Sequence, residues 1–200
     1  ELDIPLVEDN PYGDLRFEGE APLPLAARNP EGVLYMGSFS KVLAPGLRLG
    51  FVVAPKSVYG KLVQAKQAAD LHTPSFNQRV VAEVMKDGFL ARHIPTIRTL
   101  YKNQRDAMLA ALDQEMVGLG VSWTRPVGGM FLWVQLPEGM DAQKLLPLAV
   151  ERGMAFVPGA PFFPGNPQHN CLRLSYVTVP PAQIAQGIAA LAAAIKAYAQ

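Results

Sequence analysis

Three short apolar runs limit what this chain can become: Ile4-Pro5-Leu6-Val7, Val33-Leu34-Tyr35-Met36 and Leu49-Gly50-Phe51-Val52-Val53. Each has the length and continuous hydrophobicity of a strand buried on both faces. Asn10-Pro11-Tyr12-Gly13-Asp14, after the first run, is dense in turn formers and reads as a loop. Lys56 to about Ala69 and Asn77 to about Lys86 have helical patterns, split by Thr73-Pro74-Ser75 with Ser75 as the N-cap. Strands and helices arranged this way before residue 95 predict a parallel α/β layer.

Ile94, Ile97, Tyr101, Met108, Ala111 and Leu112 follow helical spacing, predicting a long helix from about Pro95 to Met116 that joins two lobes. Pro95 would then stand in the first turn, where a missing N–H costs little. Beyond it, Ser122–Thr124, Met130–Val134, Ala155–Val157 and Cys171–Tyr176 read as strands. Asp141–Arg152 and Pro181–Tyr198 read as helices, the latter with Ile184, Ile188, Leu191 and Ile195 in one core-facing stripe. The second part is therefore expected to be α+β, with a domain division of 1–94 and 95–200.

Two hundred residues at 50% hydrophobic content can bury a substantial core. A net charge of +1 with scattered basic residues gives no reason to expect nucleic acid as a partner. The lone Cys171 excludes an internal disulfide, reads as a small buried apolar residue, and suits a reducing compartment. With no membrane-length apolar run and no secretory pattern, the expected location is the cytoplasm. Glu1-Leu2-Asp3 opens the chain without methionine and runs almost directly into a strand, so a longer polypeptide is expected.

The chemistry centres on Lys41, within Ser38-Phe39-Ser40-Lys41 and followed by Ala44-Pro45-Gly46-Leu47-Arg48-Leu49-Gly50. Alone, a lysine after a strand is usually a solvated charge. Flanked by Ser38, Ser40 and Arg48, it suits a phosphorylated aldehyde: the amine takes the carbonyl, and hydroxyls and guanidinium take the phosphate. This points to pyridoxal 5'-phosphate. Asp9 supplies the anion that keeps a pyridine nitrogen protonated, though before Asn10-Pro11 it also suits a turn. Tyr12 reads equally as a ring-oxygen donor or as a partly buried loop aromatic. Arg173 lies within apolar Cys171-Leu172-Arg173-Leu174, where a buried guanidinium needs a carboxylate. An internal salt bridge and a substrate α-carboxylate both satisfy that need. Phe131, Trp133, Phe162 and Phe163 suit an apolar substrate pocket or core packing alike. No metal site is expected.

Asp9-Asn10-Pro11-Tyr12, Ser38-Phe39-Ser40-Lys41, Ala44 to Gly50, Gly128-Gly129-Met130-Phe131-Leu132-Trp133 and Leu172-Arg173-Leu174-Ser175 resemble, in order, the motifs of class I/II aminotransferases of fold type I. The first three are most similar to the 2-aminoadipate and aromatic aminotransferase branch. The resemblance covers essentially the whole chain. It implies the C-terminal part of the fold: an incomplete, mainly parallel large-domain sheet plus a smaller α+β domain. It makes Lys41 the Schiff-base lysine and the base that moves the Cα proton. It also makes Asp9 the ring-nitrogen partner, Tyr12 the ring-oxygen donor, Ser38 and Arg48 phosphate ligands, with Ser40 bordering the lysine among the cofactor-binding residues, and Arg173 the carboxylate clamp. Gly128-Gly129 would allow close approach at the pocket wall. Asp70 to Gln78 resembles a segment that meets a partner subunit, implying a homodimer.

The implied reaction moves an α-amino group between an amino acid and a 2-oxo acid. The family's phosphate-cupping loop, ring-stacking aromatic and Asn-Pro-x-Gly segment are not in this sequence, and these 200 residues are expected to need them to fold and act. An effector domain of a transcription regulator, and a lyase or decarboxylase of the same fold, are the alternatives.

Overall fold

The computed structural model describes residues 4–198, so Glu1-Leu2-Asp3 lies outside the described residues. The chain divides into two compact units, Glu1–Arg98 and Thr99–Gln200.

In the first unit β1 (Leu6–Asp9), β2 (Val33–Ser38) and β3 (Gly50–Val53) form a sheet in that order. β1 runs parallel to β2, with Leu6 opposite Val33 and Asp9 opposite Met36. The paired part of β1 thus lies later than the apolar run suggests and ends on Asp9, while β2 continues to Ser38. β3 is antiparallel, pairing Gly50 with Ser38 and Val53 with Tyr35. This part of the sheet is mixed where a parallel layer was expected, for a simple reason. The link from Phe39 to Leu49 contains only short turns, and a parallel return needs a longer crossover, usually helical. The loop closes on itself through Phe39 N–H donating to the Leu49 carbonyl at 3.1 Å.

Short α1 (Leu25–Arg28) precedes β2; α2 (Lys56–Asp70) and α3 (Ser75–Val84) follow β3. Ser75 is not the N-cap: Pro74 occupies that place with φ −50° and ψ 122°, and no side chain caps the helix. The proline ring sets the entry angle, leaving Ser75 as the first helical residue. The outer strands are poorly covered, Val7 being 62% and Val53 60% exposed, while Leu15, Val33, Val42, Leu49 and Val81 are buried.

The long helix α4 (Phe89–Glu115) starts before Pro95 instead of at it. Gly88, at φ +68°, ends the preceding turn and releases Phe89 into helix, so Pro95 falls inside. The division between the units falls within α4.

The second unit carries an antiparallel sheet of β4 (Ser122–Trp123), β5 (Phe131–Gln135), β6 (Val157–Pro158) and β7 (Cys171–Ser175), in the order β4-β5-β7-β6. Alternation puts Leu132, Val134, Leu172 and Leu174 in the core, and Phe131, Trp133, Arg173 and Ser175 on the other, half-buried face. α5 (Ala142–Val150) is capped by Asp141, whose Oδ1 accepts from Gln143 N–H at 2.8 Å. α6 (Pro181–Tyr198) buries its expected stripe of Ile184, Ile188, Leu191 and Ile195. Cys171 is free and buried. Among the described residues no helix is long and apolar enough to cross a membrane.

Candidate active site

Parallel pairing brings the carboxyl ends of β1 and β2 to one edge of the first sheet, so Asp9 and Ser38 finish there side by side. Open α/β sheets bind ligands at this edge. Asn10 N–H extends the pairing by donating to the Met36 carbonyl at 3.0 Å. Because β3 returns antiparallel and begins opposite Ser38, the segment entering it, with Arg48, comes to the same edge.

Lys41 sits on the connecting loop, which is held at several points. Leu43 and Ala44 N–H groups both donate to the Phe39 carbonyl, at 2.9 and 3.1 Å. Buried Val42 anchors the turn and leaves its neighbour Lys41 half-buried. Lys41 Nζ lies 5.9 Å from the centroid of the Tyr12 ring, within cation–π range. Tyr12 is fixed in turn by its carbonyl, which accepts from Leu15 N–H at 2.9 Å, and Leu15 is fully buried. Ser38 Oγ accepts from Ser40 N–H at 3.1 Å, which leaves the Ser38 hydroxyl proton free to donate elsewhere. Ser40 enters the arrangement through its backbone.

Arg48 adopts left-handed backbone, φ 53° and ψ 43°, a conformation that costs a non-glycine residue on the order of 1 kcal/mol. The turn Pro45–Leu47 holds it there, its Nη1 donating to the Pro45 carbonyl at 3.3 Å. Asn77 on α3 donates to the Leu47 carbonyl at 3.1 Å and ties that turn down. Asn77 gave no signal in the sequence beyond its place in a helix.

A cavity of about 200 Å³ opens at this edge, lined among others by Asn10, Pro11, Tyr35, Gly37 and Ser38. Burial and the nearby Asp14 and Glu8 carboxylates push the Tyr35 hydroxyl up, against a lowering hydrogen bond with Asn10. Gly37 is another residue the motifs passed over: a Cβ there would come within 2.3 Å of the Phe51 ring tip. The larger cavity of about 720 Å³ is lined by residues including Phe39, Leu49, Lys66, His72 and Met85, and Lys41 is part of neither cavity's wall.

In the second unit Arg173 is not buried in the apolar core its sequence suggested, because strand alternation turns it away from Leu172 and Leu174. Its guanidinium makes no hydrogen bond or ion pair with another described residue of this unit, so no internal salt bridge is found there. Its central carbon instead lies 4.1 Å from the Phe131 ring centroid and 4.9 Å from that of Phe162. Trp133, opposite Arg173 in the register, meets the Phe162 ring edge-on at 5.7 Å. Gly129 has φ +81° with open space at its Cβ position, so its backbone conformation itself favours glycine. Buried Arg105 and Tyr176 hold this loop, donating to the carbonyls of Pro126 at 2.5 Å and Gly128 at 3.0 Å.

The family model described as aminotransferase class I and II matches residues 1–191. The chain is 47% identical to aromatic-amino-acid aminotransferase 1 of Thermococcus litoralis, over 98% of this chain and 47% of that protein. It is 49% identical to the 2-aminoadipate transaminase of Thermus thermophilus, over 98% of this chain and 50% of that protein. A solved structure of alpha-aminoadipate aminotransferase from Thermus thermophilus, complexed with N-(5'-phosphopyridoxyl)-L-leucine, superposes with a TM-score of 0.90. That match has 49% identity and covers 96% of this chain and 50% of that one. The chain spans about half the length of the curated relatives it matches.

Proposed function

The chain belongs to the aminotransferase class I and II family, and from that premise we propose that it forms part of a pyridoxal 5'-phosphate-dependent aminotransferase of fold type I. The observation that carries this reading is the set of groups gathered at one sheet edge. Amine, carboxylate, phenol, hydroxyl and guanidinium, from Lys41, Asp9, Tyr12, Ser38 and Arg48, match what a phosphorylated pyridine aldehyde needs from a protein. The donor set therefore fits the cofactor.

When bound, pyridoxal phosphate supplies an aldehyde and a ring able to accept the electron pair left at a substrate Cα. Lys41 would hold the aldehyde carbon until the substrate amine displaces it, and the freed Nζ would then take the proton from the substrate Cα and deliver it to that cofactor carbon. Asp9 keeps the ring nitrogen protonated, and Tyr12 donates to the ring oxygen. Ser38 directs its spare proton at the phosphate, Arg48 offers its fork to the same group, and Ser40 supports Ser38 through its N–H. Arg173 grips the substrate α-carboxylate.

The first unit is read as the C-terminal portion of the cofactor-binding large domain, and the second, with the linking helix, as the small domain. The substrates are an amino acid and a 2-oxo acid. Two similar relatives with aminotransferase names support transfer over the regulator and lyase alternatives. A homodimer with Asp70 to Gln78 at the contact is supported by Leu71 and Phe76, 71% and 75% exposed. The free, buried Cys171 supports a reducing, cytoplasmic setting.

In the cofactor-loaded protein, Lys41→Ala is expected to slow the half-reaction with an amino acid at least about a thousandfold, as loss of a covalent and acid–base group does. A variant retaining the parent rate in stopped-flow would refute the assignment.

A further inference from the structure

Arg173 poses a problem of orientation. A guanidinium on the half-buried face of β7, with no carboxylate or carbonyl among the described residues of its unit to hold it, should sample many rotamers, and fixing such a side chain costs rotamer entropy. Two aromatic rings stand within 5 Å of its central carbon, at 4.1 and 4.9 Å. Attraction to a ring face uses the guanidinium's charge but not its N–H groups, which point outward in the plane.

The sources of the two rings make the arrangement a built one. Phe131 projects from β5 two residues before Trp133, the residue paired with Arg173. Phe162 reaches in from the turn Ala160–Phe162, which follows β6. Gly159 lets that turn approach closely: its N–H donates to the Cys171 carbonyl at 2.7 Å, and a Cβ there would lie 2.7 Å from that of Cys171. Phe162 N–H donates back to the Gly159 carbonyl at 3.0 Å, and its ring meets Trp133 edge-on at 5.7 Å. Even so, Phe162 is 49% exposed, more than core packing alone would leave.

We propose that Phe131 and Phe162 are positioning residues for Arg173, holding its guanidinium by their ring faces so that its N–H groups stay open to a ligand carboxylate. The proposal rests on the reading of Arg173 as the carboxylate clamp. It assigns these aromatics to the arginine and not to the substrate side chain.

The test uses the cofactor-loaded protein and two probes of equal shape, 4-methylpentanoate and 4-methylpentanamide, titrated by calorimetry. The parent is expected to prefer the acid, and Arg173→Gln to lose that preference. Phe162→Leu and Phe131→Leu should each cut the acid-over-amide preference about fivefold to tenfold. Phe162→Trp, which keeps a ring face, should restore it. Catalysis should follow with a raised KM and near-constant kcat for alanine, leucine and phenylalanine alike. Should Arg173→Gln keep the preference, the clamp reading itself fails. Loss in Arg173→Gln with full retention in both leucine variants overturns the positioning role alone, as does equal weakening of acid and amide. Where a leucine variant fails to fold, Phe162→Trp and Phe162→Tyr decide by whether the preference survives.

Discussion

Tyr176 shows how much one buried side chain can govern. It is fully buried, donates to the Gly128 carbonyl at 3.0 Å, and burial pushes its hydroxyl well up, against the opposing charge of Arg105. The folded state therefore holds that proton more tightly than the unfolded chain does. Its stability contribution is complete below about pH 10, the ordinary tyrosine value, and falls as pH rises above it. Tyr176→Phe is expected to cost about 1–2 kcal/mol at neutral pH by leaving Gly128 without a donor. The same substitution should also flatten the decline in stability above about pH 10, as urea titrations at several pH values would register. Arg173 illustrates what sequence can and cannot tell at this scale. Its oddity in an apolar strand was visible, but its ring partners depend on alternation across β5 and on a turn distant in sequence. Gly37 and Asn77 left no mark, because each acts on a neighbour that only the fold supplies.

Among elements, period decided how well a segment could be read. α6 runs over Pro181–Tyr198 as expected, since about five turns of 3.6-residue repetition leave little freedom in its ends. The short strands slid by one or two residues, because a run of four apolar residues does not reveal where pairing starts. The direction of β3 was missed because it depends on a link too compact for a crossover. That link also carries Lys41 and Arg48, so its tether matters. Asn77→Ala removes the donor to Leu47 and should free the turn that holds Arg48 in left-handed backbone. The expected outcome is a severalfold weaker equilibrium constant for pyridoxal phosphate with the global melting temperature little changed, about 1 kcal/mol being at stake in one hydrogen bond. Unchanged cofactor affinity would detach α3 from the site.

For the whole molecule, covered and uncovered surfaces differ sharply between the units. The second unit buries one full sheet face and the inner stripe of α6, whereas β1 and β3 of the first show apolar residues to solvent. Sheets with exposed apolar edges pair with whatever strand is available. Residues 1–200 alone are therefore expected to elute from size exclusion as oligomer or aggregate, and a compact monomer would contradict that expectation. The order of motifs carried the family through the entire chain, which spans about half the length of the curated relatives it matches. Lys41 is the residue proposed to take the cofactor aldehyde. Loading the protein with pyridoxal phosphate, reducing with borohydride and mapping the peptides by mass should find the pyridoxyl group on Lys41. Recovery of the label on another lysine, with Lys41 unmodified, would contradict it.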